Sequence, residues 1–232
     1  MLTDAHLHLQ EIDDPDGFLK LAKQSGFGRF LSASTSVDDW QACLDLSVKY
    51  HEVVPFIGTH PWFSDRHDRQ RMFDLLVGYP SAQVGEIGLD ALKNTPDQES
   101  VFIDQLELAA SLDRVCVIHC VKDYARLCKI MKERSHPERF LIHGFSGGVQ
   151  EMEFLEKRGA YFTFSATLGK NLVEAFKRTP LDKILIESDA NAAKQPDLGA
   201  SVFYFASLKE MSVPAFSEMM ERNAAKYLGK NP

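Results

Sequence analysis

In Thr3-Asp4-Ala5-His6-Leu7-His8, polar and apolar side chains alternate, and the two-residue period of a strand sends Asp4, His6 and His8 to one face. Two imidazoles so placed can share a cation, with Asp4 beneath as an orienting partner. A single histidine there more often meets a backbone carbonyl; the alternating pair favours the metal. Gly85-Glu86-Ile87-Gly88 sets a carboxylate in an apolar run, where either a basic side chain or a cation must answer the buried charge. The flanking glycines suggest a close backbone approach. Val117-Ile118-His119, Leu141-Ile142-His143 and Ile186-Glu187-Ser188-Asp189 each close an apolar run with a ligand-type residue. Four histidines (His6, His8, His119, His143) and two carboxylates (Glu86, Asp189) at five strand ends make the inventory of a binuclear hydrolase centre. Mixed nitrogen and oxygen donors suit zinc, manganese or iron better than calcium. Such a centre lowers the pKa of bound water from 15.7 toward about 7 and clamps both attacking and leaving oxygens. Hydrolysis is the expected chemistry, with Asp189 holding the nucleophilic water and accepting its proton.

Weaker candidates surround this set. His60, in Gly58-Thr59-His60-Pro61, reads equally as a substrate or phosphate contact and as a turn histidine. Phe145-Ser146-Gly147-Gly148 reads equally as an anion-binding nest of backbone amides and as a turn leading into a helix. The basic run Lys122, Arg126, Lys129, Lys132 and Arg134 fits a solvated helix face better than a polyanion site. His51, His67 and His136 lie in polar helix ends or loops and carry no assigned function.

These residues need a frame that brings many strand ends together. Short apolar runs at 2–8, 30–34, 53–60, 83–88, 115–119, 140–143, 161–164 and 184–188 alternate with amphipathic stretches at 16–24, 38–50, 98–112, 122–134, 149–157, 172–177 and 215–228. Repeated βα units build a parallel sheet. A doubly wound sheet would announce its site through a glycine-rich phosphate turn, and there is none. A barrel gathers the C-terminal ends of all its strands on one face, so a single-domain (β/α)8 barrel of the TIM type, spanning 1–232, is the expected fold.

The composition agrees: 44% hydrophobic and 25% charged residues suit a globular domain. A net charge of −7 argues against non-specific coating of nucleic acid, although bound cations would reverse the sign locally. Cys43, Cys116, Cys120 and Cys128 have no disulfide-framework spacing and are expected as reduced, packed thiols. Without a signal-type N-terminus or a long apolar segment, a cytoplasmic location without membrane contact is expected, and no obligate protein partner is indicated.

The stretches TDAHLHL, GTHPW, VGEIGLD, FIDQLELAASLD, VIHC, IHGFSGGVQEMEFLEKRGAYFTFS, ILIESDA and ERNAAKYLG together resemble the TatD-type deoxyribonucleases of the amidohydrolase superfamily, in that family's order and over nearly the whole chain. The resemblance implies a (β/α)8-like barrel and two divalent ions, zinc, manganese or magnesium. His6, His8 and Asp189 would hold one, His119 and His143 the other, and Glu86 would bridge them. It also implies DNA as substrate, phosphodiester hydrolysis, typically as an exonuclease, and His60 near the scissile phosphate. The chain departs from the pattern where Ala91-Leu92 replaces a usual Tyr and Cys120-Val121 precedes Lys122 where an Arg is common. Gly144 stands for a cysteine, Asn191 for a proline, and the stretch after Ala190 looks short. Altered specificity or weaker activity is the expectation these departures raise. Competing expectations are a small-molecule ester or amide hydrolase and a catalytically silent metal-binding scaffold.

Overall fold

The computed structural model describes residues 1–229 except 94, 166–168, 195 and 196, with backbone only at 170 and 171. Seven parallel strands follow one another in sheet order: β1 (Leu2–Leu7), β2 (Phe27–Ala33), β3 (Val53–Ile57), β4 (Gln83–Asp90), β5 (Cys116–Val121), β6 (Phe140–Ile142) and β7 (Ala160–Phe162). The expected eighth strand, 184–188, is held by isolated bridges, Ile184 to Phe162 and Ile186 to Asp4, with the Leu185 N–H donating to the Phe162 carbonyl and the Ala5 N–H to the Ile186 carbonyl. These bridges join β7 to β1 and close a TIM-type barrel. A regular ladder fails there because the Ser188 N–H turns to the Asp4 carboxylate at 2.9 Å and Asp189 takes a φ of +50°.

The connections are α1 (Pro15–Gln24), α2 (Trp40–Lys49), α3 (Arg69–Gly78), α4 (Gln98–Ser111), α5 (Tyr124–Glu133), α6 (Val149–Glu156), α7 (Lys170–Arg178), α8 (Leu198–Leu208) and α9 (Val213–Tyr227). α1 shows why such segments fold where they do. Asp14 accepts the Gly17 N–H, Pro15 occupies the first turn, and Gly26, at a φ of +88°, follows its end. On α5 the buried Tyr124, Leu127, Ile130 and Met131 form one stripe while Lys129 and Lys132, with Lys122 and Arg134 just beyond its ends, are exposed as expected; Arg126 is half-buried and bonds to Asp123. Two helices lie outside the expected segments. α3 buries only Met72 and Leu76, too little to register as a stripe. α8 is apolar on nearly every side and has no polar face to set a period.

Inside the barrel, Ala5, Leu31, Ala33, Phe56, Val117, Leu141, Tyr161 and Leu185 pack together, with Tyr227 of α9 donating to the Cys116 carbonyl at 2.9 Å. Val117 and Leu141 precede His119 and His143 by two positions, so the apolar layer floors the polar one. The larger core lies between the strands and the helices. All four cysteines are free, and burial pushes Cys43 and Cys120 up to about 12, in keeping with packed thiols.

The strand glycines do have close neighbours. A Cβ on Gly58 would lie 2.7 Å from the Gly85 carbonyl carbon, and one on Gly88, whose φ is +148°, would collide with the His119 carbonyl oxygen. Gly88→Ala is expected to cost more than about 2 kcal/mol through clash and backbone strain. Gly78→Ala, at an open position, should leave stability unchanged or slightly raised. Urea unfolding of both variants checks this, and equal stabilities would refute the close-approach account.

Candidate metal centre

Register slips fall between Asp4 and Leu7 where β1 pairs with β2, and between Val84 and Ile87 where β4 pairs with β5. Such bulges re-aim side chains, and His6 and Glu86 sit inside these two. Glu86 is 2% exposed and meets imidazoles on both oxygens. Its Oε1 lies 2.7 Å from His143 Nε2, 2.8 Å from His119 Nδ1 and 3.5 Å from His60 Nε2. Its Oε2 lies 3.4 Å from Nε2 of both His6 and His8. Asp189 Oδ1 completes the second group, 3.9 Å from His6 Nε2 and 3.7 Å from His8 Nε2. All six expected ligand residues therefore converge: four histidines divide between the two oxygens of Glu86, and Asp189 joins the pair His6 and His8.

The neighbours decide which atoms are free to bind. His8 Nδ1 lies 2.8 Å from the Ala33 carbonyl, so it carries the proton and leaves Nε2 as a lone pair toward the centre. His60 is the opposite case. Its Nδ1 accepts the Trp62 N–H at 3.2 Å, which puts the ring proton on Nε2. His60 thus presents a donor to the cavity rather than a ligand atom. His119 turns Nδ1 to Glu86 while its Nε2 lies 3.4 Å from Asp90 Oδ2.

Charge follows the same geometry. Burial lowers His6 to about 4 and His60 to about 3, so both are neutral at pH 7. Burial also opposes a charge on His143, yet the Glu86, Glu187 and Asp189 carboxylates raise it to about 9. Against its own burial, Glu86 is held well below the usual carboxylate range by His143, His60 and His6. Burial opposes Asp189 in the same way, and His6, His143 and Lys194 lower it.

A divalent ion fits this donor set. Both ring nitrogens of His6 and Nδ1 of His143 are buried without a hydrogen-bond partner among the described residues, an arrangement that is costly unless something else is bound. A pocket that draws a proton onto a buried histidine also has an unmet demand for positive charge. Two ligand-type groups lie close enough to hold an ion, His6, His8 and Asp189, and His6, Glu86 and His143; a third cluster, His60, Glu86 and His119, is as compact, but His60 faces it with its N–H. They open onto a cavity of about 300 Å³ whose lining includes His8, His60, Trp62, Glu86, His119 and Asp189.

Other expectations change on the structure. Asp4 does not orient an imidazole: it accepts the Ser188 N–H at 2.9 Å and hydroxyl at 2.6 Å, tying β1 to the closing segment. Three of the four amides expected as a nest are taken: Phe145 N–H by the Thr163 carbonyl, Ser146 N–H by the Tyr124 hydroxyl and Gly148 N–H by Glu151. Ser146 and Lys122 are exposed and do not line the cavity. Four neighbours escaped notice. Glu187 accepts from Gly144 and Thr163 and lies 3.8 Å from His143 Nδ1; Lys194 holds Asp189 Oδ2 at 3.3 Å; Trp62 donates to Asp90 at 2.7 Å. Asp90 and Glu187 left a trace in the sequence, the first four positions beyond Glu86 and the second two before Asp189.

The architecture recurs in a solved protein, the crystal structure of YjjV, a TatD homolog from Escherichia coli K12. It superposes with a TM-score of 0.89 over 98% of both chains at 22% identity. The sequence profile of the TatD related DNase family matches residues 3–229, and the chain belongs to that family. By sequence, the E. coli K12 YjjV protein, named an uncharacterized metal-dependent hydrolase, is 27% identical over 202 residues, covering 81% of this chain and 78% of its own. Human deoxyribonuclease TATDN3 is 25% identical over 261 residues, covering 99% and 95%. The E. coli K12 3′-5′ ssDNA/RNA exonuclease TatD is 26% identical over 189 residues, covering 76% and 73%.

A metal that binds the folded chain must stabilise it, by about 2.7 kcal/mol at a hundredfold excess over its dissociation constant. Thermal unfolding should rise with added Mn, Zn or Mg and fall back with a chelator. Glu86→Gln should abolish the rise; an unchanged rise in that variant would place the ion elsewhere.

Proposed function

We propose that this chain is a divalent-metal-dependent nuclease, a TatD-like deoxyribonuclease that hydrolyses phosphodiester bonds, acting as an exonuclease. The observation carrying the reading is the sorting of His6 and His8, which also meet Asp189, onto one oxygen of Glu86 and of His119 and His143 onto the other. Two ions are proposed, one in each group, with Glu86 between them. When bound, they supply Lewis acidity, activating water near neutral pH and offsetting charge that develops on a phosphate. Family membership and the printed activities of TATDN3 and TatD support a nucleic-acid substrate.

The chain's own residues have distinct tasks. Asp189, ionised and facing the cavity, accepts the proton of the attacking water, while Lys194 holds its outer oxygen. The Nε2–H of His60 donates to a phosphate oxygen, which a neutral ring does at no cost in charge. The buried Glu86 keeps the histidine groups apart and stays ionised.

With Mg, Mn or Zn supplied, the protein should shorten single-stranded DNA, and Glu86→Ala should abolish cleavage. Asp189→Asn should lower kcat by about 10² to 10⁴ while the metal-dependent rise in melting temperature persists. A panel of DNA, RNA, carboxylic esters and amides decides the class. Turnover confined to the esters or amides would overturn the nuclease reading.

A further inference from the structure

Trp62 is 43% exposed, an unusual position for an indole with a partner for its N–H. The turn that carries it, Pro61–Arg66, is pinned along its length. His60 Nδ1 accepts the Trp62 N–H, the Thr95 hydroxyl donates to the Pro61 carbonyl, and the Ser64 hydroxyl donates to the Pro96 carbonyl. The indole edge is fixed by its 2.7 Å bond to Asp90 Oδ2, an oxygen that also lies 3.4 Å from His119 Nε2. Its ring meets the His60 ring at right angles, with centroids 5.1 Å apart. Trp62 and Phe63 both line the cavity beside Glu86 and Asp189. Cations stand over these rings: Lys93 Nζ lies 4.9 Å from the Trp62 centroid and 5.5 Å from that of Phe63, and the Arg66 guanidinium lies 5.9 Å from Phe63.

A rigid, exposed aromatic face at the edge of a phosphodiester site, with an exposed lysine laid over it, has the chemistry of a nucleobase platform. We propose that Trp62 stacks on the base next to the scissile phosphate, with the Lys93 ammonium moving from the ring to the adjoining backbone phosphate. The platform rests on the nuclease reading and specifies what that site grips. A base has to leave a duplex to lie flat on Trp62, so the platform favours single-stranded or frayed ends. Because every base offers a π-face, it tolerates sequence.

The test is a cycle between ring and base. Oligonucleotides lacking the base on either side of the terminal linkage are compared with the intact strand, using wild type, Trp62→Ala and Trp62→Phe. Removing the base or the Trp62 ring should each lower kcat/KM by about tenfold, and removing both should cost no more than removing one. Trp62→Phe, which keeps a ring face but cannot donate to Asp90, should retain most of the preference for the intact strand. If Trp62→Ala costs the same with and without either base, Trp62 merely positions Asp90; the platform is then wrong while the nuclease reading stands. If wild type cleaves no strand, both fall together. A second measurement needs no variant. Trp40 is fully buried, so an intact strand bound under chelation should quench Trp62 emission. An abasic strand should quench it far less, and equal quenching overturns the platform.

Discussion

Removing a carboxylate from water to the middle of a protein costs several kcal/mol unless its charge is answered on the spot, and the barrel is arranged around answering Glu86. Five imidazoles from four strand ends reach its two oxygens. Only a closed parallel barrel brings the ends of β1, β3, β5 and β6 to within hydrogen-bond range of one point. The requirement explains details that otherwise look unrelated. β4 slips its register at Glu86, Gly58 has no side chain where the Gly85-Glu86 backbone passes, and Gly88 makes room for the backbone of His119.

The other buried acids show what a structural carboxylate looks like in this protein. Asp4 takes an N–H and a hydroxyl from Ser188; Glu187 takes an N–H from Gly144 and a hydroxyl from Thr163. Burial pushes both up to about 7, and neutral donors are enough for them. Glu86 has no backbone amide among its described partners and is answered instead by the imidazoles that surround it. Asp189 is lowered rather than raised, with a lysine on one side and two histidines on the other. The division between acids that close the barrel and acids that face the cavity is thus a division between kinds of donor.

Much of this was readable from residue types and periods. His6, His8, His119, His143 and Asp189 stood at the ends of apolar runs and Glu86 inside one, and the structure brings all six together. Strand ends were less legible. β3 stops at Ile57 because the following groups bond to side chains: Gly58 N–H to Ser34 and Thr59 N–H to Gln105. What escaped was whatever depends on contacts between distant elements. Nothing local in Asp4 shows that it bonds to a residue 184 positions away, and nothing in Ser146 shows that its amide is held by Tyr124. α3 and α8 lacked the contrast of faces that makes a helix visible. Trp62 carried no signal in the sequence, because its exposure and its bond to Asp90 are set by the fold.

The link between Asp4 and Ser188 also sets an order of events. During synthesis the strand that carries His6 and His8 emerges first, and its closing partner arrives only after nearly all the rest of the barrel. A chain stopped short of residue 184 carries His6, His8, Glu86, His119 and His143 but neither the bridge partners of β1 nor Asp189. The growing polypeptide therefore passes through most of its translation without a closed barrel or a complete set of ligand residues.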